Sequence, residues 1–279
     1  MPRPSPLCSS LAAAACAAVL SYSGAASAYH TKEQRITDES AYTLRHKDFR
    51  VGLWKVQYGI VDSVMAGTYI WPWLFRVSNL HAKWRYWQND TWALSVFAGL
   101  YHLNTKSFEQ VEEDTGNATL TVFPFELAAS HRFDDHYTLT VAPVWTTVVL
   151  RGNLESDDLR GAGEGAVNNF QLTATFEWRL SQVTAVLFHG RYLVAQTAHA
   201  QGDVVLRPDE FTTIEVHATG TTDEINFRRA ASLTVSGVFS WETFNFRIGA
   251  SVGNYNVPGV NFVIGETLLI PELDLYWIF

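Results

Sequence analysis

The chain has 279 residues, 47% hydrophobic and 14% aromatic, and its 28 Asp and Glu outnumber 20 Lys and Arg for a formal net charge of −8. That acidic balance argues against nucleic-acid binding. Both cysteines, Cys8 and Cys16, lie within the first 28 residues, which excludes a disulfide scaffold, thiolate chemistry or cysteine-ligated metal beyond them.

The N-terminus reads as a cleaved secretory signal. Arg3 is the only charge before His30, Leu11 to Leu20 is an alanine-rich apolar core, and Ala26-Ser27-Ala28 supplies small residues before a cut at Tyr29. An anchor helix is disfavoured, because a span needs roughly 20 apolar residues. A lipoprotein reading of Cys16 is weak, since Ala13 stands where such signals carry Leu. The expected organisation is a signal peptide over 1–28 and one domain over 29–279. That domain keeps 19 Lys and Arg against 28 Asp and Glu.

From residue 40 onward the pattern is alternation with a period of two. Twelve strands are expected near 40–46, 49–60, 63–71, 77–87, 92–104, 118–133, 136–150, 170–180, 183–197, 229–241, 244–254 and 268–279. In VSNLHAKWRY (77–86), Asn79, His81, Lys83 and Arg85 oppose Leu80, Ala82, Trp84 and Tyr86. In FQLTATFEWRL (170–180), Gln171, Thr173, Thr175, Glu177 and Arg179 oppose Phe170, Leu172, Ala174, Phe176, Trp178 and Leu180. Eleven alternating residues suit a tilted strand that crosses a bilayer, for which about 9–11 are needed. Strands of soluble sandwiches run to about 5–6.

The connections alternate in length. Short turns fall at Val61-Asp62-Ser63, Asn89-Asp90, Asp134-Asp135, Ser181-Gln182 and Glu242-Thr243; longer polar loops fall at 105–117, 151–169, 198–228 and 255–267. Transmembrane barrels have short periplasmic turns and longer outer loops. Counting back from a periplasmic Phe279 in up-down order puts every short turn on that side. Tyr58, Tyr86, Trp92, Phe133, Tyr137, Trp178, Trp241, Phe244, Trp277 and Phe279 gather beside those turns and the chain end, as an interfacial aromatic girdle requires. The expected fold is therefore an all-β, antiparallel, up-and-down transmembrane barrel of about twelve strands.

The closing LDLYWIF, with Phe279 last, and YGIVDSV (58–64) carry a resemblance to the outer-membrane β-barrel proteins of Gram-negative bacteria. That resemblance implies export to the outer membrane, contact with its lipids, and a terminal strand read by the barrel-insertion machinery. It implies no single activity, since porins, channels, lipid-modifying enzymes and structural barrels share the class.

With the polar face inward, the lumen would present Lys55, Lys83, Arg85, Glu126, Glu177, Arg179, His189, Arg191, Arg247, Glu272 and Asp274. Read as a channel, a small passive pore, the basic ladder draws small anionic solutes into a wet lumen. Read as a closed structural or adhesive barrel, the same cations pair with the carboxylates, and the outer loops do the work. His189 and Arg191 face inward only if the turn after Arg179 holds three residues, such as Leu180-Ser181-Gln182; otherwise charge enters lipid. The loops are acidic. They read as a solvated rim, with cation bridging by Glu112, Glu113 and Asp114 as the sharper alternative. The 199–228 stretch is long enough to fold into the mouth or to extend a hairpin.

Enzyme signatures are weak. Gly249-Ala250-Ser251-Val252-Gly253 matches a nucleophile elbow but lies in an alternating strand. Gly161-Ala162-Gly163-Glu164-Gly165 lacks the surroundings of a phosphate loop. No cofactor or metal is expected and the chain reads as a non-enzyme; the remaining alternative is a lipid or lipopolysaccharide hydrolase with His81, His136 or His189 as base.

Overall fold

The computed structural model describes residues 36–104, 116–155, 159–209, 212–222, 230–241, 243–257 and 262–279. The expected signal peptide, its cut before Tyr29, and Glu112, Glu113 and Asp114 lie outside these residues.

Among the described residues the strands are β1 (Phe49–Gly52), β2 (Lys55–Val61), β3 (Val64–Tyr69), β4 (Ser78–Gln88), β5 (Trp92–Asn104), β6 (Asn117–Arg132) and β7 (Tyr137–Glu155). They continue with β8 (Leu159–Arg179), β9 (Thr184–Asp209), β10 (Thr212–Thr222), β11 (Ala231–Ser240), β12 (Phe244–Val257) and β13 (Phe262–Ile278). A one-turn helix, α1 (Ile70–Leu74), follows β3. Neighbours pair antiparallel, and β9 pairs with β11 over Thr184–Tyr192 and with β10 farther up. The ring closes where Arg50, Val51 and Gly52 pair with Ile278, Trp277 and Tyr276. Twelve strands thus make the barrel, and β10 stands outside the ring as the second limb of a hairpin.

The alternation decides which side of the wall each residue takes. On β8, Gln171, Thr175, Glu177 and Arg179 are buried while Leu172 and Trp178 are exposed. This is the inverse of a soluble domain and the arrangement a bilayer selects. No described helix is long and apolar enough to cross a membrane.

Rings pack along the short-turn end: Phe49–Tyr58 at 6.5 Å, Tyr137–Trp178 at 6.3 Å, Trp241–Phe244 at 5.6 Å and Phe244–Trp277 at 5.1 Å. Tyr86, Trp92, Phe133 and Phe279 are exposed at the same end. A second belt holds Phe125, Trp145 and Phe170, with Trp145–Phe170 at 4.8 Å. Tyr137 and Trp145 are eight residues apart on β7, which on a tilted strand is about 20 Å of height. That is close to the apolar band of such barrels, about 25 Å.

Several expectations are corrected. The 40–46 stretch is not a strand; Ser40, Ala41, Tyr42, Thr43 and Leu44 are all buried inside the ring. The expected 49–60 strand is two strands, β1 and β2, with a bend at Leu53-Trp54. Arg50 and Lys55 differ in parity, so one continuous strand would have put one of them in lipid. The bend turns both inward. The 151–169 and 198–228 loops are largely strand: β7 and β8 stay in register from Tyr137–Trp178 to Glu155–Arg160, and β9–β10 is an extended hairpin. Beyond the bilayer a ladder needs no apolar alternation, and the glycines at 161, 163 and 165 gave these strands the look of a loop. After Arg179, Leu180 N–H bonds Thr184 O across Ser181-Gln182-Val183. Three residues turn the chain there, one position later than expected, and His189 and Arg191 face the lumen.

Candidate functional site

Residues 36–48 have no regular structure and run through the lumen at its short-turn end. The segment is pinned there by His46 N–H to Asp62 Oδ1 at 2.8 Å and Lys47 N–H to Gly59 O at 2.8 Å. Deeper in, Ser40 Oγ donates to Thr37 O at 3.0 Å and Glu39 N–H to Thr37 Oγ1 at 3.3 Å, which folds a tight turn with Asp38 and Glu39 at its tip. One limb packs Ile36 against Ala185, Leu187 and Val238; the other packs Ala41 and Tyr42 against Ala93, Ala128 and Ala142. These lumenal alanines leave the room that larger side chains would fill. The segment therefore reaches from β9 and β11 on one wall to β5–β7 on the other, as a plug.

The acidic tip sits in a ring of cations. Arg50 bridges Asp38 at 2.6 Å and Asp274 at 2.8 Å, with its guanidinium 3.8 Å over the Tyr276 ring. Lys55 also pairs with Asp38. Lys83 donates to the carbonyls of Asp38 at 2.6 Å and Ser40 at 2.8 Å. Arg247 holds Glu39 at 3.4 Å and Glu272 at 3.1 Å, and donates to Ser236 Oγ at 3.0 Å. Burial alone would raise the Glu39 pKa. Arg247, His189, a backbone hydrogen bond and Arg191 together outweigh it and hold Glu39 at about 2 against an ordinary value of 4.5.

The other expected lumen residues form separate groups. Glu177 and Arg179 are a buried pair at 3.7 Å. Arg85 is at the rim, its Nη2 donating to Asp62 O at 2.8 Å. Glu126 and Arg191 line a cavity of about 470 Å³ that lies against the acidic tip and reaches Trp54, Trp71 and Ile270. Arg50, Asp38 and Glu39 escaped the sequence reading. The parity conflict between Arg50 and Lys55 was the available signal for the first; nothing in the pattern of 36–41 signals a plug.

The candidate bases do not assemble into a nucleophile-activating pair. Arg191 Nε donates to His189 Nε2 at 2.8 Å, and an arginine can only donate. The proton of neutral His189 is therefore on Nδ1, which donates to Thr175 Oγ1 at 2.6 Å and cannot accept its proton. His136 Nδ1 faces Arg179 O at 3.0 Å, and His81 Nε2 lies 3.1 Å from Gln57 Nε2. Ser251 lies within β12 and the 161–165 glycines within β8, neither at a strand-to-helix turn. Among the described residues, no three or more His, Cys, Asp or Glu are grouped to hold a metal ion.

A closed barrel that is polar within, apolar without and belted twice by aromatics has the fold of an outer-membrane β-barrel. No protein-family model matches the chain, and neither does any curated protein. Among solved structures, the chain is similar to the ferric citrate transporter FecA in its unliganded form, at 9% identity and a TM-score of 0.42, over 85% of this chain and 42% of that one. It is also similar to the translocator domain of the autotransporter NalP from Neisseria meningitidis, at 9% identity, a TM-score of 0.33, and 83% and 84% coverage. The TodX deltaS2S3 mutant monoaromatic hydrocarbon channel is similar at 8% identity and a TM-score of 0.25, with 85% and 90% coverage. The chain thus spans less than half the length of FecA.

Proposed function

We propose that this barrel is a diffusion channel for small anionic solutes, held shut by its own N-terminal segment. The observation that carries the reading is the ownership of the charges. Arg50, Lys55, Lys83, Arg191 and Arg247 belong to the wall around the cavity, whereas Asp38 and Glu39 belong to a lumenal segment that is not part of the wall. Without the segment, the wall lining keeps those five cations against Glu126, Glu272 and Asp274, a field that draws anions into a narrow lumen. The two carboxylates seated on the ring occupy the place of a permeating anion.

The test is planar-bilayer conductance of the mature chain and of a variant lacking residues 29–44. The mature chain should conduct rarely and briefly, and the deletion variant steadily, with a preference for anions. Adding Lys83→Glu and Arg247→Glu should turn that preference toward cations. An Asp38→Asn, Glu39→Gln variant provides a milder opening. A deletion variant that keeps the heat-dependent gel shift of a folded barrel yet passes no current would overturn the reading.

A further inference from the structure

Among the described residues, the barrel wall has a notch. β1 has four residues, β2 seven and β3 six, too few for strands that must each supply about 9–11 to cross a bilayer. β1 stops pairing with β13 at Tyr276, and the last main-chain bond across that seam is Leu53 N–H to Leu275 O at 2.8 Å. Above it, among the described residues, β13 pairs only with β12. On the far side of the gap, β3 pairs with β4 only up to His81. Three truncated strands separate β13 from β4, an opening roughly 19 Å wide at normal strand spacing, floored by Leu53, Trp54 and α1.

The notch opens at lipid level. Leu273 and Leu269, on the outer face of β13 beside the gap, are both exposed. They are four residues apart, about 10 Å of height in the outer half of the bilayer. An unpaired strand edge in hydrocarbon is costly, and this one is treated. The backbone groups of Leu275 and Leu273 point into the gap, so those of Pro271, two residues on, do too. Proline has no N–H to leave unpaired there. The Leu273 carbonyl is capped by the Trp54 indole N–H. Opposite, α1 and its following turn present Trp73, Leu74 and Phe75, Leu74 being 78% exposed.

The cavity connects this notch to the lumen, since its lining includes Trp54, Trp71 and Pro271 as well as Arg191 and Glu126. Arg191 bonds His189 through Nε; among the described residues its terminal nitrogens have no hydrogen-bond partner, and neither does the Glu126 carboxylate. One cation and one carboxylate, both with unused hydrogen-bonding capacity, face a cavity of ligand size.

From these observations we propose that the notch admits a zwitterionic phospholipid from the outer leaflet. Its phosphate is held by Arg191, its ammonium by Glu126, and its acyl chains stay in the bilayer between the β13 edge and α1. The cavity lining is charge-balanced with the plug seated, so a headgroup carrying both signs fits it better than an anion does. This goes beyond the channel reading and does not depend on it.

The experiment uses phosphatidylethanolamine with a photoreactive group in its acyl chain, reconstituted with the mature protein and mapped by peptide mass spectrometry. Adducts should concentrate at Leu269, Leu273 and 71–75. Arg191→Ala should reduce those adducts at least tenfold and leave the sparse labelling of the rest of the wall unchanged. Glu126→Gln should lower ethanolamine-lipid labelling to the level given by phosphatidylglycerol. Adducts spread evenly around the barrel, or undiminished by Arg191→Ala in a barrel that keeps its heat shift, would overturn the proposal. So would suppression of notch labelling by free phosphoethanolamine at concentrations equal to the lipid, which would make the cavity a solute site. Neither arm reads conductance, so a failed channel reading leaves this result interpretable.

Discussion

Arg50 holds two carboxylates from different parts of the chain, Asp38 on the plug and Asp274 on β13. Asp38 also has Lys55, but Arg50 is the one cation paired with Asp274 among the described residues. Removing one partner of a buried pair costs about 3–5 kcal/mol, because the other stays desolvated. Arg50→Ala should therefore lower the unfolding free energy, read from the denaturant dependence of the folded gel form, by that order. Arg50→Lys should rescue only part, since an ammonium does not reproduce a planar fork across two acids. Glu39 gives the plug a pH dependence. Its folded pKa is depressed to about 2 from 4.5, so the stabilisation is full above 4.5 and is lost as pH falls through 2. Channel open probability should rise over that window. A Glu39→Gln variant should be more open at neutral pH and should respond less to pH across the same range.

At the scale of elements, the turn after β8 sets the face of everything on β9. Ser181-Gln182-Val183 places His189 and Arg191 inside. Deleting Gln182 shifts β9 by one residue and sends both toward lipid, where an arginine near the midplane costs about 2–4 kcal/mol. That variant should give no heat-modifiable band; a normal band would show that β9 restores its register by a bulge. The same arithmetic explains what the sequence made legible. β4 and β8 alternate cleanly because each faces lipid on one side and water or polar groups on the other, so their lumenal Lys83, Glu177 and Arg179 can be read directly. The plug is illegible because Ala41, Tyr42, Thr43 and Leu44 are buried on every side; no two-sided environment imposes a period there. The β1–β2 bend was readable in principle, from two cations of opposite parity in one supposed strand. The notch was not, since strand ends are fixed by pairing partners far along the chain.

The whole molecule is lopsided. On one side the wall is cut down to β1–β3; on the other, β7–β10 climb past the upper aromatic belt, with Trp145 ten residues below the end of β7. That is roughly 25 Å of sheet beyond the bilayer. The tall side pairs almost wholly with itself: among the described residues β10 pairs with β9 alone, and above Leu193, whose N–H still bonds Ala230 O, β9 pairs with β8 and β10. Of its described residues, Gly220, Thr219 and Ala218 are exposed, and Arg151–Glu164 is an exposed pair at 3.1 Å. Exposed pairs of this kind contribute little, about 0–1 kcal/mol, whereas ring closure rests on β9–β11 from Thr184 to Tyr192. Replacing residues 198–222 by a short Gly-Ser turn should therefore leave folding and the heat shift unchanged and the unfolding free energy within about 1 kcal/mol, since surface regions away from the core rarely decide stability. It should also leave the current of the plug-deleted channel intact, because the cation ring lies far below. A truncated barrel that fails to fold would mean that the tall sheet nucleates closure. One that folds but loses its current would place part of the conduction path in the β9–β10 hairpin rather than in the lumen.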